Sequence, residues 1–386
     1  MKHHFSSLAR PTTCIVLGWL ILAASLVVPL ARSATGVDSV DFRLSEMPAY
    51  QPGKPVTQII RIAGFYGARK LLENWEKGFL RFHPDARIEF NYSGKGSETV
   101  PAWLYTQLAD LGLMRELWRS ESLSFYRVFS TEPYVINAVT GSYNAIDKTA
   151  AMIVVVNKGN PVEKLTMKQL DGIFGEARTG GYEGMYWSEA HARGPEENIR
   201  TWGDLGVGGA WKDKPIHVYG YDLQNGFAHY FGERVLHGGT KWNSNLQEFG
   251  FSIAKEGKTK GEMGIKGRSH DSGSAPLVET IEGDPYGIGY CIPRDQSPGV
   301  RAVALADEGS TSFVQASKKT VANRSYPLTR SIYWVLHRAP GEPIDAKVKE
   351  FLRYVLSREG QEEVVREGDW IPLTPELLRE ALKQLE

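Results

Sequence analysis

The sequence predicts an α/β protein of two lobes, with mostly parallel sheets flanked by helices. Three observations carry this. The chain has 386 residues, more than a single hydrophobic core usually spans. Between residues 58 and 114, apolar runs of strand length alternate with a helical pattern, the rhythm of strand–helix–strand units. At 215–236 a short strand with Ile216, Val218 and Tyr219 turns through Asp222, Asn225 and Gly226 into a helix. That helix is marked by Phe227, Tyr230, Phe231, Val235 and Leu236. A loop that opens a helix presents unpaired backbone N–H groups, which suits an anion.

The elements follow in order. Residues 35–54 are polar, include Pro48 and Pro52, and read as an extended arm. Residues 58–63 form a strand that stops at Gly64, and Leu71, Leu72, Trp75, Phe79 and Phe82 then recur on one helical face up to His83 and Pro84. Residues 87–92 alternate as a second strand and lead into a Gly- and Ser-rich loop at 93–99. Residues 100–108 fit a helix and 109–114 a third strand. Residues 151–156 are apolar on both faces and read as a buried strand near a crossover. A Gly-rich stretch at 177–198 carries Tyr182, Tyr186 and Trp187. Residues 286–292 read as the return strand, with Cys291 as a buried small hydrophobe. A strand at 332–337 and a helix at 348–358 close the chain. The expected organisation is lobe 1 from 55–145 plus 290–386, and lobe 2 from 146–289.

Residues 1–34 read as a signal peptide or a retained N-terminal anchor. Lys2 and Arg10 precede an apolar run from Cys14 to Leu30, and Ala31 and Ser33 offer small residues for cleavage before Ala34. The expected location is periplasmic or extracytoplasmic, with the membrane touched only through this segment. With Cys14 removed only Cys291 remains, so no intrachain disulfide forms. Formal net charge is zero, which argues against nucleic acid as a partner.

The segments 165–175, 199–205, 215–236 and 326–361 together resemble the phosphate-binding proteins of ABC importers, whose fold is the two-lobed type II periplasmic-binding-protein fold. The resemblance runs from about Ile59 to the C-terminus. It implies a non-enzymatic protein that captures a small anion between lobes and serves an ABC permease. It also implies a phosphate site built from hydroxyls, N–H groups, an Arg and an Asp. Few of those places keep their residue here. The first loop, 64–69, has no aliphatic hydroxyl, but Tyr66 beside Gly67 can donate. Ser97 matches the second-loop serine. Arg115 stands near or at the acidic place that ends the third strand. Tyr221 takes the Arg position, Asn225 the Ser position and Phe227 the Thr position, while Gly226 is kept. On Arg115 and Tyr221 alone the local charge moves from about zero to about +1, which would let sulfate or a carboxylate bind as well as hydrogen phosphate.

Three outcomes stay open: an altered anion, a phosphate site rebuilt from other contacts, or a ligand-free module that binds an envelope sensor or transport complex. No cofactor, metal or catalytic residue is expected. His217, His229 and His237 lack a metal-ligand spacing. His270, Asp271 and Ser274 are near one another only in sequence, which is no argument for a triad. The run 94–97 lacks the P-loop glycines, and Trp75, Trp202, Trp211 and Trp334 read as core anchors.

Overall fold

Strand β1 (Ile59–Gly64) organises the first lobe, because Ile60, Ile62 and Ala63 are wholly buried and it pairs on both sides. In the computed structural model the described residues are 40–92, 96–145, 148–250 and 274–386. The N-terminal segment 1–34 and the loop holding His270 and Asp271 lie outside them.

After β1 the chain forms α1 (Arg69–Leu80), β2 (Arg87–Tyr92), α2 (Val100–Tyr105), β3 (Leu111–Arg115), α3 (Arg119–Phe129) and β4 (Tyr134–Thr140). Helix α1 buries Leu71, Leu72, Trp75 and Phe79, one face at 3–4 residue spacing, and each such side chain is worth ~1.5–3 kcal/mol. Strands β1, β2 and β3 are parallel, so the turns that open α1, α2 and α3 all leave the same edge of the sheet.

The second lobe holds β5 (Ile153–Asn157), β6 (Lys164–Thr166), α4 (Met167–Phe174), β7 (Gly181–Glu183), β8 (Tyr186–Ser188), β9 (His217–Tyr221), α5 (Gly226–Val235) and β10 (Gln247–Phe249). It continues through α6 (Ser274–Gly283), β11 (Gly287–Cys291), β12 (Val300–Ala302), β13 (Ala304–Ala306) and α7 (Lys318–Ala322). The chain then returns to the first lobe as β14 (Ser331–Leu336), α8 (Ala346–Val355), α9 (Arg358–Glu367) and α10 (Pro375–Lys383).

The principal sheets run β2-β1-β3-β14-β4 and β10-β9-β11-β5-β12. They are mixed rather than mostly parallel, because β14 opposes both β3 and β4, and β5 opposes β11 and β12. The two opposed strands, β14 and β5, are the ones by which the chain enters each sheet after passing between the lobes. Each lobe has its own core, one around Trp75, Trp334 and Phe351 and the other around Val154, Phe231 and Tyr290.

The expected return to lobe 1 at residue 290 is corrected by this core. Tyr290, Cys291, Val300, Leu305, Val321 and Leu328 all pack in the second lobe, so the return falls at about 329–331. Short strands β12 and β13 keep the chain there. Cys291 is buried as expected, and burial pushes its thiol up.

The arm is folded onto lobe 1. Met47 and Tyr50 are buried, and the Tyr50 hydroxyl donates to Glu350 Oε1 at 2.6 Å. Between the lobes, the Gly141 N–H donates to Arg330 O at 3.0 Å and the Met152 N–H to Leu328 O at 3.1 Å, which ties the two crossing segments together. A Cβ at Gly141 would collide with the Thr149 carbonyl oxygen, so this close approach needs glycine. The stretch 177–198 contains the β7–β8 hairpin, and Tyr186 there donates to Glu132 of the first lobe at 2.7 Å.

Candidate functional site

The turn after β1 carries Tyr66 and Gly67, and the turn after β2 carries Ser97. Because β1 and β2 are parallel and in register from Ile59↔Arg87 to Gly64↔Tyr92, these turns are neighbours at one edge. Tyr66 is 57% exposed and Ser97 is buried. The Gly67 carbonyl accepts from Lys148 Nζ at 2.7 Å, and the same ammonium reaches Glu367 at 2.8 Å. Lys148 therefore fixes the turn and is itself neutralised.

Arg115 ends β3 at this edge but is not a spare cation. Its two Nη atoms donate to the two carboxylate oxygens of Glu121, each at 2.9 Å, and both side chains are about nine-tenths buried. Glu121 Oε2 also accepts the Trp118 N–H at 2.8 Å, which caps α3. The Arg115 guanidinium stacks 3.6 Å from the Trp118 ring. The expected local charge of about +1 is corrected to about zero, because Glu121 returns the negative charge from six residues on.

On the second lobe, Asn225 caps α5 by accepting the Phe227 N–H at 2.9 Å. Gly226, the first residue of α5, faces the first lobe: a Cβ there would sit 3.7 Å from Trp118 Cζ2. The Trp118 ring also lies 4.1 Å from that of His229. The indole thus brings the edge of lobe 1 and the start of α5 together. Phe227 is half-buried, with its ring 5.8 Å from the Arg330 guanidinium.

Tyr221 does not belong to the cleft. It is fully buried in the second core, its hydroxyl shares a 2.6 Å hydrogen bond with Ser274, and its ring packs on Phe227 and Tyr290. Burial holds its hydroxyl well above the usual phenol range. Strand β9 runs on to Tyr221, past the Tyr219 at which the apolar pattern ended, so this position is part of the buried sheet.

Sequence reasoning missed the residues behind the seam. A cavity of about 400 Å³ lies between the lobes, with Glu116 and Trp118 on one side, Tyr230 and Arg234 of α5 on the other, Arg324 from just beyond α7 and Arg330 of the crossing segment. Arg330 is buried, donates to Glu116 Oε1 at 2.6 Å and stacks 4.7 Å from Tyr230. Its ion pair to one lobe and ring contact to the other make it a cross-lobe tie. Desolvation raises the Tyr230 hydroxyl, which donates to Thr329 O at 3.0 Å. The only signal in the sequence was an Arg in the 326–330 run. Among the described residues no group of three or more His, Cys, Asp or Glu is placed to hold a metal ion. No described helix is long and apolar enough to cross a membrane.

Comparison with known proteins adds the family. Phosphate-binding protein PstS of Pseudomonas aeruginosa is 29% identical over 367 residues, covering 95% of this chain and 98% of that protein. Protein SphX of Synechococcus elongatus is 25% identical over 227 residues, 58% of this chain and 53% of that protein. The crystal structure of PstS from Borrelia burgdorferi superposes with a TM-score of 0.48 at 14% identity, covering 82% of this chain and 99% of that one. Residues 51–359 match the family described as a PBP superfamily domain, and with two α/β lobes joined by paired crossing segments the chain belongs to that family.

Proposed function

We propose that the protein is an exported solute-binding protein that captures a small oxyanion of the phosphate class between its lobes and delivers it to an ABC permease. The observation that carries this reading is the meeting of two lobe edges: Trp118, in the turn after β3 at the edge that also holds Tyr66 and Ser97, lies against Gly226 at the start of α5. Helix N-termini offer N–H donors and the positive ends of dipoles. Tyr66 and Ser97 add hydroxyl donors, and Asn225 holds the α5 terminus in place. The Arg115–Glu121 pair positions Trp118 and contributes no net charge. Selection by charge is then weak, and phosphate and sulfate compete for the same donors. The close sequence relative supports the phosphate class, since that protein is named a phosphate-binding protein. The apolar segment at 14–30 supports export.

Calorimetric titration of the protein with inorganic phosphate tests this. Saturable binding is expected, weakened about tenfold or more in Ser97→Ala, since a hydrogen bond to a charged group is worth about 1.5–3 kcal/mol. Absence of heat with both phosphate and sulfate would reject it. That outcome favours a ligand-free envelope module, a reading supported by Trp118 covering Gly226 and by the Glu121 carboxylate at the start of α3.

A further inference from the structure

The cavity behind the seam contains polar groups that the fold leaves without protein partners. Arg324 reaches it from just beyond α7. Its Nε and Nη1 donate to Thr140 Oγ1 at 3.2 Å and Asn137 Oδ1 at 3.0 Å, both neutral, and its Nη2 is buried with no partner. Burial lowers the guanidinium from its ordinary value, as expected of a desolvated cation without a bonded carboxylate. Glu116 Oε1 accepts from Nε and Nη2 of Arg330, and its Oε2 is buried and unpartnered. A buried guanidinium donor and a buried carboxylate acceptor left open in one cavity each destabilise the fold until something pairs with them. The cavity is also lined by Tyr230, Tyr326 and Tyr333, with Glu233, Arg234 and Asp307 among its charged residues.

The geometry points to a second ligand site, for a small organic carboxylate that also carries a hydroxyl or ammonium donor. The carboxylate pairs with Arg324, the donor with Glu116 Oε2, and the carbon body lies against Tyr230 and Tyr333. At about 400 Å³ the cavity falls within the range of small-molecule sites, about 300–1,000 Å³, and is far larger than a tetrahedral oxyanion needs. None of Tyr66, Ser97 or Asn225 lines it, so it is separate from the proposed oxyanion site. Both lobes and the crossing segment contribute walls, so its ligand would bind the closed arrangement.

Calorimetry with matched probes tests the assignment: L-malate against succinate, and L-serine against propionate, each pair differing by donor groups. At least one donor-bearing probe should bind about tenfold or more tighter than its partner. Glu116→Gln should shrink that preference, and Arg324→Gln should weaken binding about tenfold or more. Phosphate isotherms should be unchanged in both variants. Failure of all four probes to bind the wild-type protein at about 10 mM overturns the proposal, as does equal affinity within each pair. Because Arg324 also holds Thr140 and Asn137, the wild-type preferences and Glu116→Gln decide the matter if Arg324→Gln does not fold. A phosphate isotherm that moves with Arg324→Gln would merge the two sites and reject a second one. Failure of phosphate to bind the wild type would reject the oxyanion reading and leave this test standing.

Discussion

Replacing Glu121 with Gln asks whether the cation at the end of β3 is neutralised. Arg115 and Glu121 are 9% and 10% exposed and joined by two 2.9 Å hydrogen bonds. Breaking a buried pair by removing one partner costs about 3–5 kcal/mol. Glutamine keeps the shape and one acceptor, so a loss of about 2–3 kcal/mol is expected. Unfolding entropy of about 2.1 cal/mol/K per residue over roughly 350 residues (Val40–Glu386) gives about 0.7 kcal/mol/K, and Tm should fall by about 3–4 °C. Thermal unfolding followed by circular dichroism reads this directly. The same variant leaves one positive charge uncompensated beside the cleft, so sulfate affinity should rise and then fall steeply with added salt. An unchanged Tm together with unchanged sulfate affinity would refute the closed pair.

Three further outcomes are expected. Tyr221→Phe removes a 2.6 Å bond to Ser274 and should cost about 1 kcal/mol in denaturant unfolding while leaving phosphate affinity alone; a tenfold affinity loss would return Tyr221 to the cleft. Burial lowers His83 from its ordinary 6.5, so the folded state binds fewer protons, and this contribution is full above about 6.5 and lost as pH falls toward the folded value. Tm should therefore drop between about pH 7 and 5. The drop should be reduced in His83→Gln but not abolished, because His237 shifts in the same direction, and an equal drop in the variant counts against His83. Glu350 and Asp110 act lower: burial raises both, but hydrogen bonds from Tyr50 and Arg61 more than offset it, so their stabilisation is lost only as pH falls below about 4, visible as a second decline in the same scan.

Much of the fold was legible in the sequence because fully buried strands and a one-sided helix leave strong patterns. Ile60 and Ile62 in β1, Leu111 and Leu113 in β3, Val154–Val156 in β5 and Leu71, Leu72, Trp75 and Phe79 of α1 stand where the apolar spacing put them, whereas Phe82 falls past the end of α1 and is exposed. Three-residue strands such as β12 and β13 are too short to show a period, so the second lobe extended further than the pattern indicated. At the site, residue types were visible but pairings were not. Arg115 meets Glu121 only because the chain turns at Trp118, and Arg330 meets Glu116 across 214 residues. An isolated Arg in a sequence carries its full charge; the fold decides how much of it reaches a ligand.

The β7–β8 hairpin has a kinetic consequence. Tyr186 holds Glu132, and the Tyr182 ring lies 4.1 Å from the Arg119 guanidinium, so two contacts strap the second lobe to α3 and its end. A solute that enters from this side waits for the strap to release. Loading then becomes a two-step process, in which the observed rate rises with solute concentration and levels off at the rate of release. Scarcity of solute would govern the slope of that curve, and two tyrosines would govern its ceiling.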